Sequence, residues 1–135
     1  MGVKIESLKL GYINIQSTHG PSGKTLTTDA PVDNGGQGSS FSPTDLLATA
    51  YLSCMLTIID LKTKALGFET KSQGNVEKVM GNNPRKISEL NIAISLSKDF
   101  PAEQREQIEK AARNCPVALS VSSDLSTNIT FNYDL

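Results

Sequence analysis

The stretch "SPTDLLATAYLSCMLTIID", residues 42 to 60, decides how this chain is read. Nothing charged lies between Asp45 and Asp60, and Leu47, Ala50, Cys54, Ile58, Leu61 and Ala65 recur at spacings of three and four, the period of an α-helix. The spacing predicts a helix over 43–66. Its start is marked by Ser42 as N-cap, Pro43 at the first helical position and Asp45 at capping-box distance from the cap. Gly67 suits the C-terminal stop. Both sides of this helix are apolar between Leu46 and Ile59, so one buried stripe does not account for it, and it is expected to be enclosed by sheet, by another helix or by a second subunit. Cys54, in the middle of the run, is either a small core filler or a nucleophile kept in a dry pocket.

The segments on either side are of a different kind. From Lys4 to Asp29 the chain is β-like, with Ile13 and Ile15 alternating with Tyr12, Asn14 and Gln16, and "THGPSGK" (18–24) has the composition of a hairpin turn. "APVDNGGQGSSF" (30–41) reads as a mobile, glycine-rich loop of the sort that borders sites. Beyond Gly67 the period returns to two, most clearly in Leu90, Ile92, Ile94 and Leu96, with "GNNP" (81–84) turning one long strand into the next. "PAEQREQIEKAARN" (101–114) opens on proline and acidic residues and ends with Lys110 and Arg113, as a helix dipole favours. Its Glu103, Glu106 and Glu109 read as a solvent face, and "CPVALSVSSDL" (115–125) reads as a further short helix. Ile129, Phe131 and Tyr133 then alternate with polar residues in a closing strand. The order implies an α+β fold in a single domain over 1–135.

Composition limits the function classes. The chain has 135 residues, 38% hydrophobic and 20% charged, as in a globular protein. With 13 basic against 14 acidic residues and no block of like charge, the electrostatic case for nucleic acid or an anionic membrane is missing. The N-terminal "MGVKIESLKLGYINIQ" lacks the apolar core of a signal peptide, and the longest uncharged apolar run is shorter than the ~18 residues of a membrane span. A cytoplasmic protein with no membrane partner is expected. In a reducing compartment Cys54 and Cys115 would be reduced thiols, a transient redox pair or inert packing. With one histidine, His19, placed in a turn, and no short cysteine cluster, no metal site is expected.

"SPTDLLATAYLSCM", followed 61 residues after Cys54 by "NCPVALSV" and closed by "NITFNYDL", resembles the OsmC/Ohr family of small thiol-dependent hydroperoxide reductases, with "FSPTDLL" and "TDAP" leaning toward its OsmC-like branch. The resemblance covers nearly the whole chain. It implies an N-terminal β-meander, a long central helix, an antiparallel hairpin, two further helices and a final strand, assembled as an intertwined homodimer with sites at the subunit interface. It implies that Cys54 attacks the O–O bond of an organic hydroperoxide, that Cys115 resolves the sulfenic acid as a disulfide, and that an external thiol or dithiol reductant regenerates the pair without metal or organic cofactor. The family supplies an arginine from the N-terminal half, oriented by an acidic residue. The arginines here are Arg85, Arg105 and Arg113, so Lys24 is the nearest cation by position, and Thr44 stands at the acidic position with Asp45 next to it. Phe41, Leu47 and Tyr51 would form an apolar substrate pocket. The alternative is a dimeric protein of the same fold that binds an apolar ligand without catalysis or senses redox state through the same thiols.

Overall fold

The computed structural model describes residues 1–135. They form two compact units, Met1–Leu46 and Leu47–Leu135.

The first unit is a three-stranded antiparallel meander of β1 (Ile5–Gly11), β2 (Asn14–His19) and β3 (Thr25–Thr28), in that spatial order. The register pairs Ile5 with His19 and Ser17 with both Ser7 and Leu26. The meander matches expectation, with one difference at the first hairpin. Ile13 does not continue the strand alternation; it sits with Tyr12 in the two-residue turn, at φ 62°. Short hairpin turns of this kind demand positive φ, which a β-branched residue adopts only under strain.

Residues 30–41, expected to be mobile, are tied down by one carboxylate. Asp29 is 3% exposed. Its carboxylate accepts from the backbone N–H of Ala30 (2.7 Å), Gln37 (3.2 Å) and Ser39 (3.1 Å) and from the Ser39 hydroxyl (2.7 Å). The Asp29 N–H closes the loop by donating to the carbonyl of Phe41 at 3.1 Å. A single 3₁₀ turn spans Val32–Asn34. Gly36 packs so closely that a Cβ there would lie 1.9 Å from the Ala30 carbonyl oxygen, so glycine is required. Such a loop reads as mobile in sequence because much of its order comes from an acceptor outside it, added to backbone bonds from the Asn34 and Gly36 N–H groups to the Pro31 carbonyl and from the Gly38 N–H to the Ala30 carbonyl.

Helix α1 (Pro43–Ala65) begins in this unit with the expected capping box: the Ser42 N–H donates to Asp45 Oδ2 (2.9 Å) and the Asp45 N–H to Ser42 Oγ (3.1 Å). Gly67, at φ 88°, ends it.

In the second unit, β4 (Ser72–Gly81) and β5 (Lys86–Leu96) form a long antiparallel hairpin. The chain then crosses through α2 (Arg105–Arg113), preceded by a 3₁₀ turn at Ala102–Gln104, and returns as β6 (Ser126–Tyr133), parallel to β5. Ala48, Tyr51, Met55 and Ile59 of α1 join Leu90, Ile92, Ile94 and Leu96 of β5 and Ile108 and Ala112 of α2 in one buried cluster. Residues 115–125 are a run of turns in place of the expected helix. One helical bond, from the Leu119 N–H to the Cys115 carbonyl (3.0 Å), is not propagated. Glu109 also departs from expectation: its Oε2 accepts from the Tyr133 hydroxyl at 2.6 Å, and the Arg105 guanidinium lies 4.0 Å from the centre of the same ring.

By length and composition alone α1 could cross a membrane, with a mean hydropathy of 1.4 over its most apolar window, of which 22% is buried within the chain. The charge-free run within this helix, bounded by Asp45 and Asp60, is itself shorter than a membrane span. Leu47 (37% exposed) and Leu61 (60%) leave an apolar face of the helix uncovered.

Two consequences can be measured. Ser42→Ala removes one half of the capping box and is expected to lower stability by about 1 kcal/mol in urea unfolding. Asp29 is held at a pKa of about 2, against an ordinary 3.8, chiefly by the Ser39 hydroxyl and N–H. A carboxyl depressed on folding stabilises the folded state above its unfolded pKa, and the contribution is lost as pH falls through the folded value. Backbone amide signals of Gln37 and Ser39 should therefore hold steady down to pH ~3 and titrate with a midpoint near the folded value of about 2, and Asp29→Asn should abolish that titration.

Candidate thiol site

Cys54 lies on α1 one turn beyond Tyr51, half-buried, and packs against the core cluster. Cys115 follows directly on the end of α2, is fully buried and belongs to the cluster itself. The crossover from β5 through α2 to β6 carries Cys115 under α1, where its thiol comes within hydrogen-bonding reach of Cys54. Both cysteines are free thiols. The 61 residues separating them in sequence give no hint of this meeting.

The electrostatics of the pair divide clearly. Burial pushes the Cys115 thiol up, and the neighbouring Cys54 pushes it further, while the Ala118 N–H, donating to Cys115 Sγ at 3.4 Å, opposes both. That N–H belongs to the turn opened by Pro116, so the run of turns supplies a donor aimed back at the sulfur. Tyr51, 4% exposed, is held inside the core. Its phenol is pushed up by burial and by the charge of Cys115, and pulled down by a hydrogen bond with the Thr127 side chain and by the charge of Arg113. Arg113 donates to the Ile129 carbonyl (3.4 Å) and its guanidinium lies 5.3 Å from the centre of the Phe131 ring.

The other residues singled out from sequence occupy varied places. Thr44 and Asp45 lie in the first turn of α1, where the Asp45 carboxylate is engaged in the cap. Lys24 lines a small, largely apolar cavity of about 250 Å³ in the first unit with Ile5, Ser17, Leu26 and the exposed His19. The His19 imidazole pairs with the Ser22 hydroxyl at 2.6 Å. Phe41 is 54% and Leu47 37% exposed. Beside α1 runs an open groove of about 520 Å³ lined by Leu52, Leu56, Asp60, Ser72 and Val76. No cluster of three or more His, Cys, Asp or Glu side chains is placed to hold a metal ion. Sequence reasoning missed Arg113, Thr127 and the Ala118 N–H. The period-two pattern of β6 could have placed Thr127 on the buried face with Ile129, but no local signal joins it to Tyr51.

The fold has well-defined counterparts. A crystal structure of an osmotic stress induced and detoxification response protein from Psychrobacter arcticus is 36% identical, superposes with a TM-score of 0.91, and the match covers 98% of each chain. An OsmC-like protein from Mycoplasma pneumoniae (17% identity, TM-score 0.81, covering 100% of this chain and 99% of the other) shares the fold. So does the organic hydroperoxide resistance protein of Bacillus subtilis (16%, 0.69, covering 99% and 98%). No curated protein matches the chain. The sequence model of the OsmC-like proteins matches residues 36–130, a span that takes in the capped helix, both thiols and the crossover between them. This chain belongs to the OsmC-like protein family.

Proposed function

We propose that this protein is a thiol-dependent peroxidase that reduces organic hydroperoxides to alcohols. The observation that carries the reading is the approach of the Cys54 and Cys115 thiols in the core of the second unit. The fold the chain shares with the organic hydroperoxide resistance protein of B. subtilis supports the reading.

The chemistry follows from two thiols of unequal exposure. Cys54, the more accessible, reacts as the thiolate, which is the nucleophilic form. Its sulfur attacks the terminal oxygen of ROOH, the O–O bond breaks, and the alkoxide leaves as ROH on taking a proton, with Cys54 left as a sulfenic acid. Cys115 then attacks the Cys54 sulfur. Hydroxide departs, joins the proton that Cys115 gives up and leaves as water, and a disulfide remains. Burial pushes the Cys115 thiol up, which leaves Cys54, the less buried of the two, for the first step, and Cys115 loses its proton as it attacks in the second. An external dithiol reduces the disulfide and closes the cycle.

The same reading includes a homodimer. Leu47, Cys54 and Leu61 recur every seven residues and so fall along one stripe of α1, and both leucines are exposed. A second copy laid on that stripe would cover the apolar face and close water out from above Cys54, which favours a lipophilic peroxide over hydrogen peroxide.

In the test, reduced protein receives one equivalent of cumene hydroperoxide, followed by thiol alkylation and intact-mass measurement. Both thiols should be lost together, with a Cys54–Cys115 crosslink in the digest. Cys54→Ser should abolish turnover; Cys115→Ser should consume one equivalent and stop at the sulfenic acid. Unchanged turnover in Cys54→Ser sinks the proposal, and thiols that stay free in the wild type favour a ligand-binding role for the fold. Leu61→Glu is expected to convert a dimer to a monomer in light scattering, and a monomeric wild type would overturn the dimer.

A further inference from the structure

The nitrogen of a peptide bond can attack the side-chain amide of the asparagine before it, which makes asparagine one of the heat-labile residues. Of the asparagines in this chain, Asn34 alone is followed by glycine, so its C-terminal neighbour has no Cβ to hinder the approach. Both residues are exposed on the glycine-rich loop, with Gly35 at φ 90°. The Gly35 N–H has no acceptor in the folded chain, so the attacking nitrogen is unengaged. Asn34 itself is restrained. It closes the 3₁₀ turn Val32–Asn34, its N–H donating to the Pro31 carbonyl at 2.9 Å, and the Gly36 N–H donates to the same oxygen at 3.0 Å. The Asp29 carboxylate then grips the chain on both sides of this turn, at the Ala30 N–H before it and at the Gln37 and Ser39 N–H groups after it.

We infer that Asn34 is a site of spontaneous deamidation, and that its rate is set by the opening of the loop that Asp29 holds closed. In the first step the Gly35 nitrogen gives up its proton to solvent and bonds to the side-chain carbonyl carbon of Asn34. The bond from that carbon to the amide nitrogen breaks, the nitrogen takes up protons and leaves as ammonia, and a five-membered succinimide remains. Water then adds to one of the two ring carbonyls and opens the ring. Opening at the side-chain carbonyl gives aspartate at position 34, and opening at the main-chain carbonyl gives isoaspartate, whose backbone is longer by a methylene. Water is the only co-reactant. Ring closure requires the backbone at Asn34 to rotate until the Gly35 nitrogen faces the side-chain carbonyl, and a 3₁₀ turn holds it away, so the reaction passes through a locally opened loop. Either product places a second carboxylate beside Asp33, in a loop whose N–H groups already serve Asp29. Isoaspartate also lengthens the turn that the Pro31 carbonyl closes.

The test ages the reduced, full-length protein at mildly alkaline pH, once folded and once in urea, and follows each asparagine by digestion and peptide mass spectrometry. In the folded protein Asn34 should gain the mass of an amide-to-acid conversion ahead of every other asparagine, with aspartate and isoaspartate forms separating on chromatography. It should do so more slowly than in urea. Ser39→Ala removes one of the hydrogen bonds that Asp29 accepts, and a hydrogen bond to a charged group is strong enough that its loss should speed the folded-state reaction about tenfold. The rate in urea should not change, and circular dichroism should match the wild type. Asp29→Asn should speed the folded-state reaction in the same direction, and Asn34→Gln should leave the loop unmodified under the same conditions. An Asn34 that stays intact in the folded wild type and in Ser39→Ala, while the chain in urea reacts, overturns the site. A folded-state rate equal to that in urea, or one that Ser39→Ala and Asp29→Asn both leave unchanged, overturns the control by Asp29.

Discussion

The contact on which everything else depends is the burial of Met55 and Ile59 of α1 against Leu90, Ile92, Ile94 and Leu96 of β5. A central strand contributes four fully or nearly fully buried branched side chains, and the helix answers with one face of matching spacing. Each such side chain contributes roughly 1.5–3 kcal/mol by leaving water, so this seam sets where α1 lies on the sheet. Once it is set, Cys54, one residue before Met55, must lie at the edge of the seam, half in the core and half out. The half-exposure of the thiol is thus a consequence of packing next door.

The crossover from β5 to the parallel strand β6 does the rest. A parallel neighbour obliges the chain to travel the length of the sheet before it can pair again, and α2 makes that journey on the face where α1 already lies. The turn at its end is then forced under α1, and Cys115 with it. Aromatic contacts secure this layer: Phe68 meets Phe100 edge-on at 5.3 Å, Phe100 meets Tyr133, and Tyr133 is bonded to Glu109 of α2. A carboxylate that looks like part of a solvent face is here one of the ties between helix and strand.

The site that results sets desolvation against polarisation. An apolar surround opposes the ionisation of a thiol, and burial pushes the Cys115 thiol up. The chain answers with an N–H from the Cys-Pro turn, donated by Ala118 to Cys115 Sγ at 3.4 Å.

How much of this was legible follows from the range of the forces involved. The capped start of α1 at Ser42 and Asp45, its stop near Gly67, the two long strands and the polar alternation of β6 are local properties of the chain, set by backbone geometry and by the period of the apolar residues, and the sequence determined them. The order in the glycine-rich loop was not legible, because it depends on one aspartate accepting from residues up to ten positions away. Residues 115–125 looked helical by composition, yet the backbone was drawn into turns around Cys115. That Cys54 and Cys115 stand together, and that Thr127 bonds Tyr51, was decided only by the tertiary structure. Proximity between residues far apart in the chain is produced by the burial of other side chains, and it leaves no trace in the segments that it joins.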